Sequence, residues 1–307
     1  MPEGDTIAWT ANRIRPVLEG RVPDEISSPR NPSWPERLAG QAVTRVDTHG
    51  KHLFIRFGPR VVQTRQDRAD RMSSGCFEGG LVLHSHLGMV GSWLVARQPR
   101  GGRRAWIVLR AGDRWVVELD GPTLELMTEG RVRFDQRLAG LGPDVLADEF
   151  DSDRFIARLR DDDPTRTFGD ALLDQRNVAG IGNIWKAEGC WEATVNPWKS
   201  VSEVSDREAL AVIAALRPRM MRSALDGPRA IEARIYGRRG RPCPRCGGRI
   251  TSRAGGYGPL AIQDRQKGPA PRPPAGDANR TTYWCPGCQN SSRSEFAPGP
   301  DPASSTK

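Results

Sequence analysis

LLDQRNVAGIGNIWKAEGCW, residues 172–191, sets a glycine-rich turn between two segments of helical texture. Gly180 and Gly182 permit a tight reversal there. Asn183, opening the second helix, can aim its amide and the first backbone N–H groups at a phosphate. A helix pair with a glycine turn also serves purely structural roles, and the turn alone does not choose between them. The helical texture extends on both sides, through DSDRFIARLR (151–160) and SDREALAVIAALRPRMMRSAL (205–225). Upstream, LGPDVLADEFD (141–151) marks a boundary. Before it the pattern is β-like, with short runs AVTRV (42–46), HLFIRF (52–57), GLVLHSH (80–86), AWIVLR (105–110), RWVVEL (114–119) and TLELM (123–127) broken by Gly and charged turns. These runs predict a sandwich or barrel. Residues 5–18 predict a leading helix, with Asp5 as its cap and Ile7, Ala11, Ile14 and Leu18 on one face. The polar, Arg-rich segment 58–79 is expected to be a surface loop.

Downstream lie Cys243-Pro-Arg-Cys246 and Cys285-Pro-Gly-Cys288. Two CxxC pairs supply four thiolates, which satisfy one tetrahedral Zn²⁺ and leave no open position, so a structural site is expected. The spacer of 38 residues is long, but lengthening a flexible loop costs only about 0.6 kcal/mol per doubling. The chain thus divides into a helix-led β unit (1–146), a helical unit (147–234) and a cysteine unit (235–293). That last unit is interrupted by a Gly/Pro-rich insertion at 254–278, and a tail (294–307) expected to be disordered follows it. Cys76 and Cys190, outside the CxxC pairs, are expected to be buried thiols.

Of 307 residues, 46 are Lys or Arg and only five are Lys. The net charge of +9 points to a polyanionic partner such as nucleic acid, although codon bias toward Arg would produce the same ratio. With 37% hydrophobic content, no apolar run near 18 residues, and an acidic start lacking an apolar stretch, a cytosolic protein without a membrane partner is expected.

Removal of Met1 would expose Pro2 as a secondary α-amine beside Glu3. An α-amine with a pKa near 7.7–8.0 is about one-third unprotonated at pH ~7.5, against about 0.1% for an ordinary lysine. Attack on a sugar C1′ by a secondary amine gives a cationic iminium, which acidifies the adjacent C2′–H. Many chains begin Met-Pro, so this feature alone carries little. Lys51, in the turn THGKH, is the only lysine before residue 186, and all four histidines (His49, His52, His84, His86) fall between 49 and 86. That concentration suggests a polar site; with no carboxylate at ligand spacing, it argues against metal.

Taken in order, PEG (2–4), THGK (48–51), SHLGM (85–89), LGPD (141–144), LLDQ with AGIGN (172–175, 179–183), YGR (236–238), CPRC (243–246) and RTTYWCPGC (280–288) make the chain resemble the formamidopyrimidine-DNA glycosylase / endonuclease VIII family. The resemblance runs from Pro2 to about Gln289. It implies an α+β multidomain fold: an N-terminal helix plus β-sandwich, a helix-two-turn-helix domain and a C-terminal zinc finger, with damaged double-stranded DNA bound between domains. It further implies a bifunctional DNA N-glycosylase and AP lyase of base excision repair that acts through a proline Schiff base and β,δ-elimination. One structural Zn²⁺ on Cys243, Cys246, Cys285 and Cys288 is the only cofactor expected, in a monomer located in the cytoplasm with the nucleoid.

Position by position, the resemblance makes Pro2 the nucleophile, Glu3 the general acid/base, and Lys51 a catalytic-site lysine on the phosphate beside the lesion. His86, Asn183 and Arg280 match the other phosphate contacts, and Met89 matches the wedge that fills the gap left by an extruded nucleotide. The PEG start, THGK and the short stretch 226–236 lean toward the endonuclease VIII branch and oxidised pyrimidines, while LGM leans mildly toward purines. Three departures stand out: Asp5-Thr6 replaces Pro-Glu, a DPRRFG-like segment is missing before LGPD, and the CxxC spacer is enlarged. The alternatives are a lyase specific for AP sites or single strands, an 8-oxoguanine glycosylase, and a non-catalytic damage-binding protein that would have no use for an exposed Pro2-Glu3.

Overall fold

The structure, a computed structural model, describes residues 2–58, 80–98, 100, 102–254 and 281–289. Residues 59–79 of the expected loop, Cys76, residues 255–278 of the insertion, Arg280 and the tail lie outside the described residues.

Helix α1 (Gly4–Leu18) leads the chain and buries Ile7, Ala11, Ile14 and Leu18, the face its spacing predicts. Asp5 is not its cap. Extended backbone at Glu3 starts the helix one residue earlier, leaving Asp5 inside the first turn, where its carboxylate accepts from Ser223 Oγ at 2.5 Å. The chain continues through β1 (Glu25–Ser27), α2 (Trp34–Leu38), β2 (Ala42–His49), β3 (His52–Gly58), β4 (Leu81–His86), β5 (Ser92–Ala96), β6 (Ala105–Ala111), β7 (Arg114–Leu119) and β8 (Thr123–Thr128). These form two four-stranded antiparallel sheets, β1-β6-β7-β5 and β2-β3-β4-β8. Alternation along β3 sends Leu53, Ile55 and Phe57 into the core between the sheets with Leu83, Trp93, Ile107 and Val116. His52, Phe54 and Arg56 therefore share the opposite face. Two short helices, α3 (Glu129–Phe134) and α4 (Gln136–Ala139), follow β8.

The helical unit contains α5 (Ser152–Arg160), α6 (Phe168–Leu173), α7 (Asn183–Glu192) and α8 (Asp206–Asp226) around a second core of Phe155, Phe168, Val178, Trp185, Ile213 and Met220. Ser205 and Glu208 form a capping box that fixes the start of α8. A short hairpin, β9 (Thr251–Ala254) with β10 (Thr281–Trp284), packs against α7 through Ile235, Ile250 and Trp191. Helix α1 packs on β2 and on α8, tying the first four residues to both larger units. Among the described residues no helix is long and apolar enough to cross a membrane.

Candidate active site

Helix α7 begins at Gly182, a residue with no side chain to cap the helix. Its orphan N–H groups are taken instead by a carboxylate about 180 positions away in sequence. Glu3 accepts from Ile184 N–H at 2.8 Å, Gly182 N–H at 3.1 Å and Trp185 N–H at 3.2 Å. A Cβ on residue 182 would lie 2.2 Å from Glu3 Cδ, so only glycine lets the carboxylate in. Gly4 N–H also donates to Gly180 O at 2.9 Å, locking the N-terminus to the turn.

Glu3 is buried. Burial raises its carboxyl above the ordinary range, an effect opposed by the Ile184 amide and the Lys51 charge and reinforced by Asp5. A carboxyl so held can carry a proton nearer neutral pH, as a general acid requires.

Lys51 sits at the tip of the β2–β3 hairpin. Two contacts brace that tip: Gly50 N–H donates to Asp144 Oδ2 at 3.0 Å, and His49 Nε2 meets Gly142 O at 2.9 Å. Gly50 has φ +57° and a Cβ there would come within 2.7 Å of Ala179 Cβ, so the THGK glycine answers both conformation and contact with the GIGN turn. Lys51 lies close enough to influence both Glu3 and His86 electrostatically.

A cavity of about 840 Å³ opens beside the N-terminus, walled by Pro2, Glu3, Thr6, Trp9, Trp185 and Arg219 among others. Thr6, the departure from the family pattern, thus stands on the cavity wall. The structure brings Pro2, Glu3 and the GIGN turn together, with Lys51 and His86 on the adjoining edge of the sheet. Met89 is 75% exposed at the β4–β5 turn, with Val90 beside it at 71%. Sequence reasoning singled out Met89 and missed Val90, although two consecutive apolar residues in a glycine-flanked turn were the available signal.

Asn183 is buried, and its Nδ2 donates to Thr281 O at 2.9 Å, next to the position that Arg280 occupies in sequence. Arg280 itself lies outside the described residues. Two further residues escaped the sequence reading. Lys186, fully buried, donates to Thr282 Oγ1 at 2.7 Å. Glu188 accepts from the backbone N–H groups of Arg234, Ile235 and Tyr236 and from Arg219. A charge at either position in the helical run NIWKAEGCW was the signal available.

The four thiols of Cys243, Cys246, Cys285 and Cys288 lie within 4.8 Å of one another, with Cys243–Cys288 at 3.7 Å and Cys246–Cys285 at 3.4 Å. A tetrahedral centre with metal–sulfur bonds of about 2.3 Å needs sulfur separations near 3.8 Å, so this donor set fits one ion with no open position. Trp191 Nε1 donates to Cys243 Sγ at 3.3 Å, orienting that ligand. Cys190 is fully buried and its thiol is pushed up to about 12, chiefly by burial, which makes it inert.

A family model described as the formamidopyrimidine-DNA glycosylase N-terminal domain matches residues 1–137, and one described as the H2TH domain of the same glycosylase matches residues 141–233. Among curated proteins, the chain is 38% identical over 303 residues to a probable endonuclease 8 2 of Streptomyces coelicolor, covering 94% of both chains. It is 31% identical to a DNA-(apurinic or apyrimidinic site) lyase of Mycolicibacterium smegmatis, across 95% of this chain and 100% of the relative. Among solved structures it is similar in fold to Lactococcus lactis formamidopyrimidine-DNA glycosylase non-covalently bound to AP-site DNA, with a TM-score of 0.70 and 21% identity over 94% of this chain and 99% of that one.

Proposed function

Because the chain belongs to the formamidopyrimidine-DNA glycosylase family, on its endonuclease 8 side, and is a glycosylase and AP lyase of base excision repair, we propose that it removes oxidised pyrimidines from duplex DNA by attack of Pro2 at C1′. The observation that carries the assignment of roles is the Glu3 carboxyl, buried at the start of α7 on the wall of the same cavity as Pro2.

The reacting C1′ is inaccessible within a duplex, so the damaged nucleotide leaves the stack first. Met89 and Val90, exposed side by side, suit the vacated space. Glu3 gives its proton to the sugar ring oxygen as the ring opens, and the Pro2 nitrogen forms a bond to C1′ as the C1′–base bond breaks. The base departs with the electron pair and takes up the proton that the Pro2 nitrogen sheds as the C1′–ring-oxygen bond breaks to leave the iminium. The resulting C1′ iminium draws electrons from the C2′–H bond; as that proton leaves, the C3′–O bond breaks and the 3′ phosphate departs. A second elimination expels the 5′ phosphate, and water then releases the sugar remnant from Pro2. Lys51, beside Glu3 and His86, is suited to hold the lesion phosphate, and Asn183 and Arg280 to hold the neighbouring ones.

Zinc on the four cysteines would fix the β9–β10 hairpin, which leads directly from Arg280; its chemistry there is structural. Confinement to AP sites is a second reading, favoured by Thr6 where the family carries a glutamate on the cavity wall. Single-turnover incision of duplexes bearing 5-hydroxycytosine, thymine glycol, 8-oxoguanine or an abasic site tests both. Excision of the first two supports the proposal, abasic-only cleavage selects the second reading, and failure to cleave any of them contradicts both.

A further inference from the structure

Three histidines on the outer face of the β2-β3-β4-β8 sheet are not used by the mechanism as stated, apart from His86 as a phosphate contact. They are joined in series. Arg137 Nη2 donates to Glu125 Oε2 at 2.8 Å, and the same oxygen lies 3.3 Å from His84 Nδ1. His84 Nε2 lies 2.9 Å from His52 Nδ1. His52 in turn packs on His86 with ring centroids 4.8 Å apart, and the two residues are register partners across β3 and β4. Phe54 also stacks on His84, with ring centroids 5.1 Å apart.

Proton positions follow from the partners. Glu125 stays ionised: burial pushes its carboxyl up, but the hydrogen bonds from Arg137 and His84 outweigh that and hold it below its ordinary value. A carboxylate at Nδ1 requires His84 to carry its proton there, which leaves Nε2 as an acceptor. His52 must then donate through Nδ1–H. At the other end, His86 Nδ1 accepts from Gly88 N–H at 3.3 Å, so the His86 proton sits on Nε2. With all three rings uncharged, the state that burial favours, these are the proton positions that satisfy every contact; a charged His84 would instead require the His52 proton on Nε2.

Resting on the reading of His86 as a phosphate contact, we propose that His52 and His84 are positioning residues of the DNA-phosphate site, an uncharged stack with fixed tautomers that presents His86 as an Nε2–H donor beside Lys51. Most of the charged and titratable groups facing the stack agree with this. Burial, chiefly, pushes His52 down to about 2 and lowers His84 and His86. Lys51 from the hairpin acts the same way on His86, His49 from β2 on His52, and Arg137 from α4 on His52 and His84; only Glu125 from β8 and Asp135 oppose it, at His84. The stack enforces a site in which Lys51 carries the charge and His86 supplies direction.

With four histidines in the chain, the imidazole ¹⁵N NMR spectrum of the zinc-loaded full-length protein is readable ring by ring. The expected result is His52 and His84 in the Nδ1–H form and His86 in the Nε2–H form, all three uncharged from pH 8 to pH 6. An Nε2–H form at His52, or protonation of His52 or His84 in that range, overturns the proposal. Binding to a duplex with a tetrahydrofuran abasic analogue gives the second arm. His84→Phe keeps the stacking on Phe54 but removes both hydrogen bonds, and is expected to weaken binding about three- to tenfold, as for loss of one net hydrogen bond, with zinc content unchanged. His84→Gln, which can still bond to His52, should recover most of the loss. Wild-type affinity in both variants overturns the positioning role. If the wild type itself does not bind the duplex while the tautomers are as stated, the failure lies with the DNA-binding reading.

Discussion

Glu3→Gln separates stability from chemistry. The glutamine oxygen can replace the Oε2 that accepts from Gly182 and Trp185, but the amide nitrogen then faces Ile184 N–H, the partner at 2.8 Å. One buried donor left unpaired costs about 1–3 kcal/mol, a melting-point drop of a few degrees for a chain of this size. The drop depends on pH with a definite sign. Because the folded-state carboxyl is raised, Glu3 contributes stability fully below its unfolded pKa of about 4.3, and that contribution is lost as pH rises through the folded value. Glutamine does not titrate, so the variant carries no such pH dependence and the gap between wild type and variant should be larger at pH 5.5 than at pH 8.5. Excision at pH 7.5 should nevertheless fall about 10²- to 10⁴-fold, the usual size of a general acid/base effect. Differential scanning fluorimetry at the two pH values and single-turnover excision measure these outcomes. Excision within tenfold of wild type, or a melting-point gap indifferent to pH, would refute the reasoning.

Gly182→Ala puts a Cβ 2.2 Å from Glu3 Cδ, so it should displace the carboxyl and lower excision at least as far as Glu3→Gln while circular dichroism stays that of a folded protein. Replacing both Met89 and Val90 with Ala should weaken binding to lesion duplexes by about 1–3 kcal/mol through lost apolar burial, with little change for a single-stranded abasic oligonucleotide. Removing metal with a strong chelator, or Cys246→Ser, should loosen the β9–β10 hairpin and lower DNA affinity by tenfold or more, while the β-sandwich signature in circular dichroism survives.

What the sequence made legible was local. The α1 face, six of the eight sandwich strands and the two CxxC pairs each announce themselves through spacing, because side-chain period and turn residues are short-range properties. Strand β1 is three residues long and exists only by pairing with β6, and β5 is too short to show alternation. Helices α3 and α4 bury no side chain, so no apolar stripe marks them. The motifs PEG, THGK and AGIGN named the pieces of the site, but not that Glu3 caps α7 or that Gly182 leaves the space that admits it. Those contacts join residues far apart in sequence. Asp5 was misread as a cap because its actual partner, Ser223, is equally distant. The histidine cluster was visible as a composition, whereas its order along the outer sheet face follows from the register of β3 and β4.

The central claim is that Pro2 is the nucleophile. Borohydride reduction during reaction with an abasic duplex, followed by proteolysis and mass spectrometry of the cross-linked peptide, tests it directly. The account predicts one adduct, on the nitrogen of Pro2 in chains lacking Met1, and none in a form whose N-terminus is blocked by a tag. An adduct on Lys51, or trapping that survives the blocked N-terminus, would contradict it.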